Sequence, residues 1–213
     1  MASNQLVMTD EGIHSLHSAT VLDEFGEPRE LSLTGERPLT IYLDKREIVT
    51  LMTMGAQPEL LTLGYLRNQG LVEHLEDIVA IQVAWDVDAV AVTTRQARTD
   101  LEQVLSKRTV TSGCGQGTMF GNVMDSLNEL ILDCPSFSAD DIYQSLAGVA
   151  EYNKMYKQAG AVHGCALCTG NKADIFVEDV GRHNAVDAIS GWMWLNDISG
   201  ADKVFYTTGR LTS

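Results

Sequence analysis

A thiol set among glycines raises the first question of chemistry in this chain. Cys114 sits in the run TSGCGQGT (111–118), without the apolar neighbours that a buried free cysteine ordinarily takes. A thiol reacts as its thiolate, and cationic neighbours or a helix N-terminus lower its pKa. Lys107 and Arg108 precede the run, and a helix is expected to open near Asn122. Gly113, Gly115, Gly117 and Gly121 free the backbone to approach a ligand closely. On these residues alone, Cys114 is either a reactive thiol on a loop or an incidental cysteine in a turn.

Three later stretches could also carry chemistry. In VHGCALC (162–168), His163, Cys165 and Cys168 are residue types that zinc accepts, and C-x-x-C also serves as a redox pair. The small apolar neighbours Ala161, Val162, Ala166 and Leu167 equally suit buried, inert cysteines, and no second cluster offers a clear fourth ligand. His163 then reads as a polar group in a cleft. In EDVGRHNAVD (178–187), an acidic strand end turns at Gly181 into a helix whose first turn holds Arg182, His183 and Asn184. Helix N-termini bind anions, ligands of α/β sheets sit at the carboxyl ends of strands, and Arg182 can contact phosphate through two N–H groups. The plainer alternative makes Asn184 and Asp187 caps and pairs Asp179 with Arg182. TTGR (207–210) repeats the order strand, glycine, arginine, which would let Arg210 face the same cleft as Arg182.

The elements that must position these residues follow from pattern. The runs 38–44 and 47–53 predict a β-hairpin, and 77–86 with 88–95 a second strand pair. Between them Pro58 opens a helix that Gly70 stops. Residues 1–30 read as irregular or as a short β entry, 120–134 as a helix, and Ser138 as the cap of one long helix reaching about Gln158. GAVHGCALCTG (160–170) reads as a tight junction of small residues. Strand, helix and strand then follow over 173–210, a βαβ unit that favours parallel pairing. The expected class is α/β with a mixed sheet, antiparallel in the first half. Trp85, Trp192 and Trp194 read as core, and Tyr152 and Tyr156 as packing or a subunit interface. The last residues, TTGRLTS, leave a strand and open a new turn, so the chain reads as ending before its fold does.

Composition narrows the partners. With 15 Lys+Arg against 29 Asp+Glu, the 213-residue chain carries a net charge of −14, which argues against nucleic acid as the main partner. An anionic ligand would have to meet locally placed arginines and N–H groups. The N-terminus lacks the basic and apolar regions of a secretory signal, and no apolar run approaches the roughly 18 residues of a membrane span. A cytoplasmic protein is expected, with its four cysteines as thiols, metal ligands or redox groups rather than a disulfide scaffold.

Taken in order, TSGCG, GAVHGCAL, EDVGRHNAVD and TTGR, with PLTIYLDKREIVTLMT and LLTLGYLRNQGLV before them, resemble the FdhD family of formate dehydrogenase accessory sulfurtransferases. The resemblance runs from about Arg37 to the end. It implies a cytidine-deaminase-like core without catalytic zinc over 106–213, preceded by an antiparallel β-rich subdomain over 1–105. It also implies that a cysteine desulfurase delivers sulfane sulfur to Cys114 as a persulfide. The acceptor would be a molybdenum or tungsten bis-pyranopterin guanine dinucleotide, bound near Arg182, His183, Asn184 and Arg210 with His163 in the cleft. Formate dehydrogenase is the implied client, and a homodimer the implied assembly. Family loops commonly read C-G-x-C-G, whereas Gly117 holds the place of the second cysteine here. One thiol suffices for persulfide carriage. Two other readings stand beside this one: a zinc hydrolase of deaminase type using His163, Cys165 and Cys168, and a carrier that only escorts the cofactor. The first wants a glutamate two residues after its histidine, where this chain has Cys165.

Overall fold

The computed structural model describes residues 6–13, 16–106, 108–111, 117–120 and 137–210, with the backbone only at 108–111 and 117–120. Its N-terminal part is a five-stranded mixed sheet in the order β1-β6-β7-β4-β5, built from Val7–Met8, Ile78–Ala84, Ala89–Thr94, Arg37–Leu43 and Arg46–Thr53. Along β4, Leu39, Ile41 and Leu43 alternate into the core, the period of two expected of a half-buried strand. The predicted hairpin turns through Asp44 and Lys45, both at positive φ, as the tightest hairpin turns require. The Asp44 carboxylate accepts from the backbone N–H and hydroxyl of Thr94, which fastens this turn to β7. The sheet is not purely antiparallel, because β4 pairs β7 in parallel and β1 pairs β6 in parallel. The entry segment is also more regular than expected: Leu16–Leu22 (β2) and Pro28–Thr34 (β3) form an antiparallel pair.

The helix α1 runs over Pro58–Asn68, with its proline in the first turn. It stops as the glycine signal predicts. Gly70 takes φ +63°, its N–H donates to the Arg67 carbonyl, and the Leu71 N–H donates to the Leu66 carbonyl. A second helix, α2, spans Leu101–Ser106, and Arg108–Thr111 (β8) pairs antiparallel with Gly117–Phe120 (β9). Phe120 ends β9 rather than opening the helix expected over 120–134; Cys114 and residues 121–134, Cys134 among them, lie outside the described residues.

Ser138 caps a helix as expected, and it does so through a capping box with Asp141. The single long helix is in fact two, α3 (Ala139–Ala150) and α4 (Lys154–Ala159). The break is held from outside, since the Glu178 carboxylate accepts from the N–H groups of Met155 and Tyr156 at the start of α4. The expected small-residue junction is also a strand, β10 (His163–Thr169). It is buried on both faces, so its sequence is a run of small and apolar residues rather than an alternation.

β10 is the centre of a three-stranded sheet in the order β11-β10-β12, with β11 at Lys172–Asp179 and β12 at Val204–Thr207. Between β11 and β12 the chain forms α5, Arg182–Leu195. The strands on either side of this crossover do run parallel to each other, but they do not pair. Both bond antiparallel to β10, which lies between them.

Two helices join the sheets, α1 against β6 and β7, and α5 against β10 and β11. Their backbones nearly touch. A Cβ on Gly64 would fall 1.6 Å from the Asp187 carbonyl oxygen, and one on Gly191 would fall 2.0 Å from that of Leu60. One continuous cluster of buried side chains therefore draws on both sequence halves, from Leu39 through Val104 to Cys165, Val177 and Ile189. At the crossing, Asn68 Nδ2 donates to Asp187 Oδ1 at 2.7 Å and Ser190 Oγ donates to Asn68 Oδ1 at 2.8 Å. Among the described residues no helix is long and apolar enough to cross a membrane.

Asp187 is half-buried as a residue, but its carboxyl group is desolvated between the helices, which pushes its pKa up to about 7 against the pull of Asn68. An unfolded aspartate titrates near about 3.9. Between about pH 4 and pH 7 the fold holds a proton that the unfolded chain releases, so this group's contribution to stability falls as pH rises through that window. Asp187→Asn keeps the acceptor for Asn68 and removes the titration. Urea unfolding should show the variant equal to wild type near pH 4 and more stable, by about 2–4 kcal/mol, near pH 8.

Candidate functional site

The strand order brings four chain segments to one end of the three-stranded sheet. These are the start of β10, the end of β11, the first turn of α5 and the residues after β12. His163 opens β10, is half-buried, and lies opposite Asp179 in the β10–β11 register. Beyond β12, the Thr208 N–H donates to the Gly164 carbonyl at 3.0 Å and its hydroxyl accepts from the Gly164 N–H at 3.0 Å. These bonds carry the TTGR segment along β10 toward α5.

There Gly209 meets Arg182. A Cβ at Gly209 would lie 2.5 Å from Arg182 Cδ and 3.0 Å from its Cβ, so the arginine stem lies directly on the glycine. Here the glycine supplies space rather than an unusual φ. Arg210 follows at once and is exposed. The glycine of the TTGR motif thus meets the arginine of the other motif, with Arg210 next in the chain.

The first turn of α5 has three side chains with three different fates. Arg182 is half-buried against Gly209 and His183 is exposed. Partial burial, followed by the nearby Arg182 charge, lowers the His183 pKa, which favours the neutral imidazole at neutral pH. Asn184 turns inward and is buried. Its Nδ2 group donates to the Met52 carbonyl at 2.7 Å and to Asp179 Oδ1 at 2.8 Å, so both its N–H bonds are used inside the protein. Gly181 is the N-cap residue, and no side chain caps α5. The N–H groups of that first turn are therefore not taken up by a side-chain cap.

Asp179 does not pair with Arg182. Its carboxylate is buried and accepts from Thr53 Oγ1 at 2.6 Å, the Met54 N–H at 3.2 Å, the Gly181 N–H at 3.1 Å and Asn184 Nδ2 at 2.8 Å. Burial pushes its pKa up, and the four donors pull the other way, Thr53 and Asn184 most strongly. The sequence points to Thr53 and Met52 only as the end of the motif PLTIYLDKREIVTLMT and not as site residues, because Thr53 stands 126 residues before the aspartate that it meets.

The H-x-C-x-x-C set does not converge. His163 and Cys165 are two residues apart on β10 and point to one face, and Cys165 packs in the main core with Leu167 and Val177. Cys168 packs on the other face with Val149, Ala166 and Ala173. Among the described residues no cluster of three or more His, Cys, Asp or Glu side chains forms a metal site. The Cys165 thiol donates to Thr207 Oγ1 at 3.2 Å. Burial pushes its pKa up, against Thr207 and Arg182, which lower it. Burial, then the Asp174 charge, does the same to Cys168. Both thiols are therefore protonated and enclosed. Brief iodoacetamide labelling at neutral pH should leave the peptide holding Cys165 and Cys168 unmodified, and labelling in denaturant should modify both. Rapid labelling of either in the native protein would contradict the packing.

Comparison with known proteins adds the family. The model of the FdhD/NarQ family matches residues 34–213. The sulfur carrier protein FdhD of Wolinella succinogenes is 26% identical over 200 residues, covering 90% of this chain and 69% of that protein. The protein of the same name from Bacillus subtilis is 28% identical over 179 residues, covering 84% and 68%. In fold, the chain is similar to the crystal structure of a putative formate dehydrogenase accessory protein from Desulfotalea psychrophila. The TM-score is 0.65 at 23% identity, over 92% of this chain and 74% of the other. The match spans most of the chain, and this chain belongs to the FdhD/NarQ family.

Proposed function

We propose that this protein carries sulfur as a persulfide on Cys114 and hands it to a guanine-dinucleotide metal cofactor, as a helper of formate dehydrogenase. The observation that supports the binding half is the uncapped start of α5 with Arg182 laid on Gly209 and Arg210 beside it. That end offers backbone N–H groups and guanidinium charge to a diphosphate, although the chain as a whole is strongly acidic. His163 and the neutral His183 border the same end. The names of the relatives, sulfur carrier proteins, support the transfer half.

In the first step the Cys114 thiolate attacks the terminal sulfur of a cysteine desulfurase persulfide. The donor S–S bond breaks, a new one forms on Cys114, and the desulfurase leaves as its thiolate. The accepting cargo is the molybdenum or tungsten bis-pyranopterin guanine dinucleotide, which is substrate here and not a resident cofactor. A cytoplasmic setting, a homodimer and a cytidine-deaminase-like core belong to the same family reading. Since Gly117 stands where a second loop cysteine is common in the family, the reading needs only one carrier thiol.

Two variants separate the halves of this proposal. Incubated with a cysteine desulfurase and cysteine, the wild type should gain the mass of one sulfur atom, and Cys114→Ala should not. A full gain in Cys114→Ala would remove it as the carrier. Arg182→Ala should still take sulfur but bind guanosine diphosphate about 10–100-fold more weakly, from the roughly 1.5–3 kcal/mol of a charge-assisted hydrogen bond. Unchanged affinity would move the diphosphate away from α5.

A further inference from the structure

We infer that Asp179 is the positioning residue of this anion-binding end, an inference that rests on the nucleotide reading above and names what sets the geometry of that site. Its two carboxylate oxygens divide their work between two parts of the molecule. Oδ2 accepts from Thr53 Oγ1 and the Met54 N–H, at the end of β5. Oδ1 accepts from the Gly181 N–H and Asn184 Nδ2, at the start of α5. Asn184 then reaches back to the Met52 carbonyl and closes the link from helix to strand.

A buried carboxylate is costly unless its lone pairs are taken, and here four donors take them. The arrangement has a second consequence. An aspartate placed as an ordinary N-cap would accept from N–H groups inside the first turn. Asp179 stands two residues ahead of the cap residue, bonds the N–H of Gly181 itself, and leaves α5 with no side-chain cap. It thus fixes the direction of the first turn without occupying the helix end that an anion would use. Asn184 is held on the inner side of that turn, which leaves Arg182 over Gly209 and His183 exposed. Thr53 is the far anchor. Its hydroxyl donates to Asp179 and accepts from the Gly55 N–H, so its own orientation is fixed as well.

The test uses the full chain, with affinity for guanosine diphosphate measured by calorimetry and first-turn amide hydrogen exchange measured at the two bonded amides, Gly181 and Ala185. Asp179→Asn turns an amide N–H toward groups that are themselves donors. It should weaken binding by about tenfold or more and speed exchange in the first turn, while the later turns of α5 stay protected. Thr53→Val should show a smaller change in the same direction. Thr53→Ser, which keeps the donor, should restore what Thr53→Val loses. A purely structural role would lower the urea midpoint and leave affinity and first-turn exchange at their wild-type values, and that result overturns the inference. If Asp179→Asn does not fold, the Thr53 pair decides by the same two readouts. If wild type and Arg182→Ala bind the nucleotide equally or not at all, the nucleotide reading fails. First-turn exchange then judges the role of Asp179 alone.

Discussion

A carboxylate buried away from water and charge partners must find its donors within the fold, and the Asp179 side chain finds four. Two come from residues 53 and 54 and two from residues 181 and 184, so satisfying it requires the end of β5 and the start of α5 to meet. Everything proposed for this end of the molecule depends on that meeting. Arg182, seated on Gly209, and the exposed His183 stand between Gly181 and Asn184, the two α5 residues that Asp179 holds. Removing one partner of such a set leaves the others buried and unpaired, which costs more than the bond itself is worth.

A second constraint makes the first one attainable. The helices α1 and α5 approach until a single added carbon at Gly64 or Gly191 would strike the facing backbone. That proximity lets Asn68, Asp187 and Ser190 bond across the crossing and merges the side chains of both sequence halves into one core. Glycine is useful here for its missing Cβ and not for its flexibility. The helix pair brings the two sheets to a fixed spacing, and the Asp179 network fixes what happens at one end of it.

Much of this was legible in the chain, and the failures share a cause. Local signals were reliable: Pro58 and Gly70 bound α1, and Ser138 with Asp141 starts α3, because each is settled by bonds within a few residues. The repeated strand-glycine-arginine order pointed to the two segments that meet where Gly209 lies against Arg182. What escaped was whatever a distant partner decides. The break between α3 and α4 is held by Glu178, more than twenty residues onward. β10 reads as a junction because both its faces are covered by elements that its own sequence does not mention. Asp179 reads as a partner for its neighbour Arg182, although its donors include a threonine 126 residues earlier. The apparent metal motif dissolves for a local reason, the alternation of a strand, which sets Cys165 and Cys168 on opposite faces.

The central claim is that the first turn of α5 and the arginine beside it form the seat of a nucleotide diphosphate. The most direct measurement is a crystal structure of this chain with guanosine diphosphate bound. The account predicts phosphate oxygens at the backbone N–H groups that open α5, within hydrogen-bonding reach of Arg182, with Asp179 still holding Thr53 and Asn184 behind them. A nucleotide seated instead in the cleft of about 360 Å³ lined by Asp44, Asp77 and Arg98, with the start of α5 untouched, would contradict it.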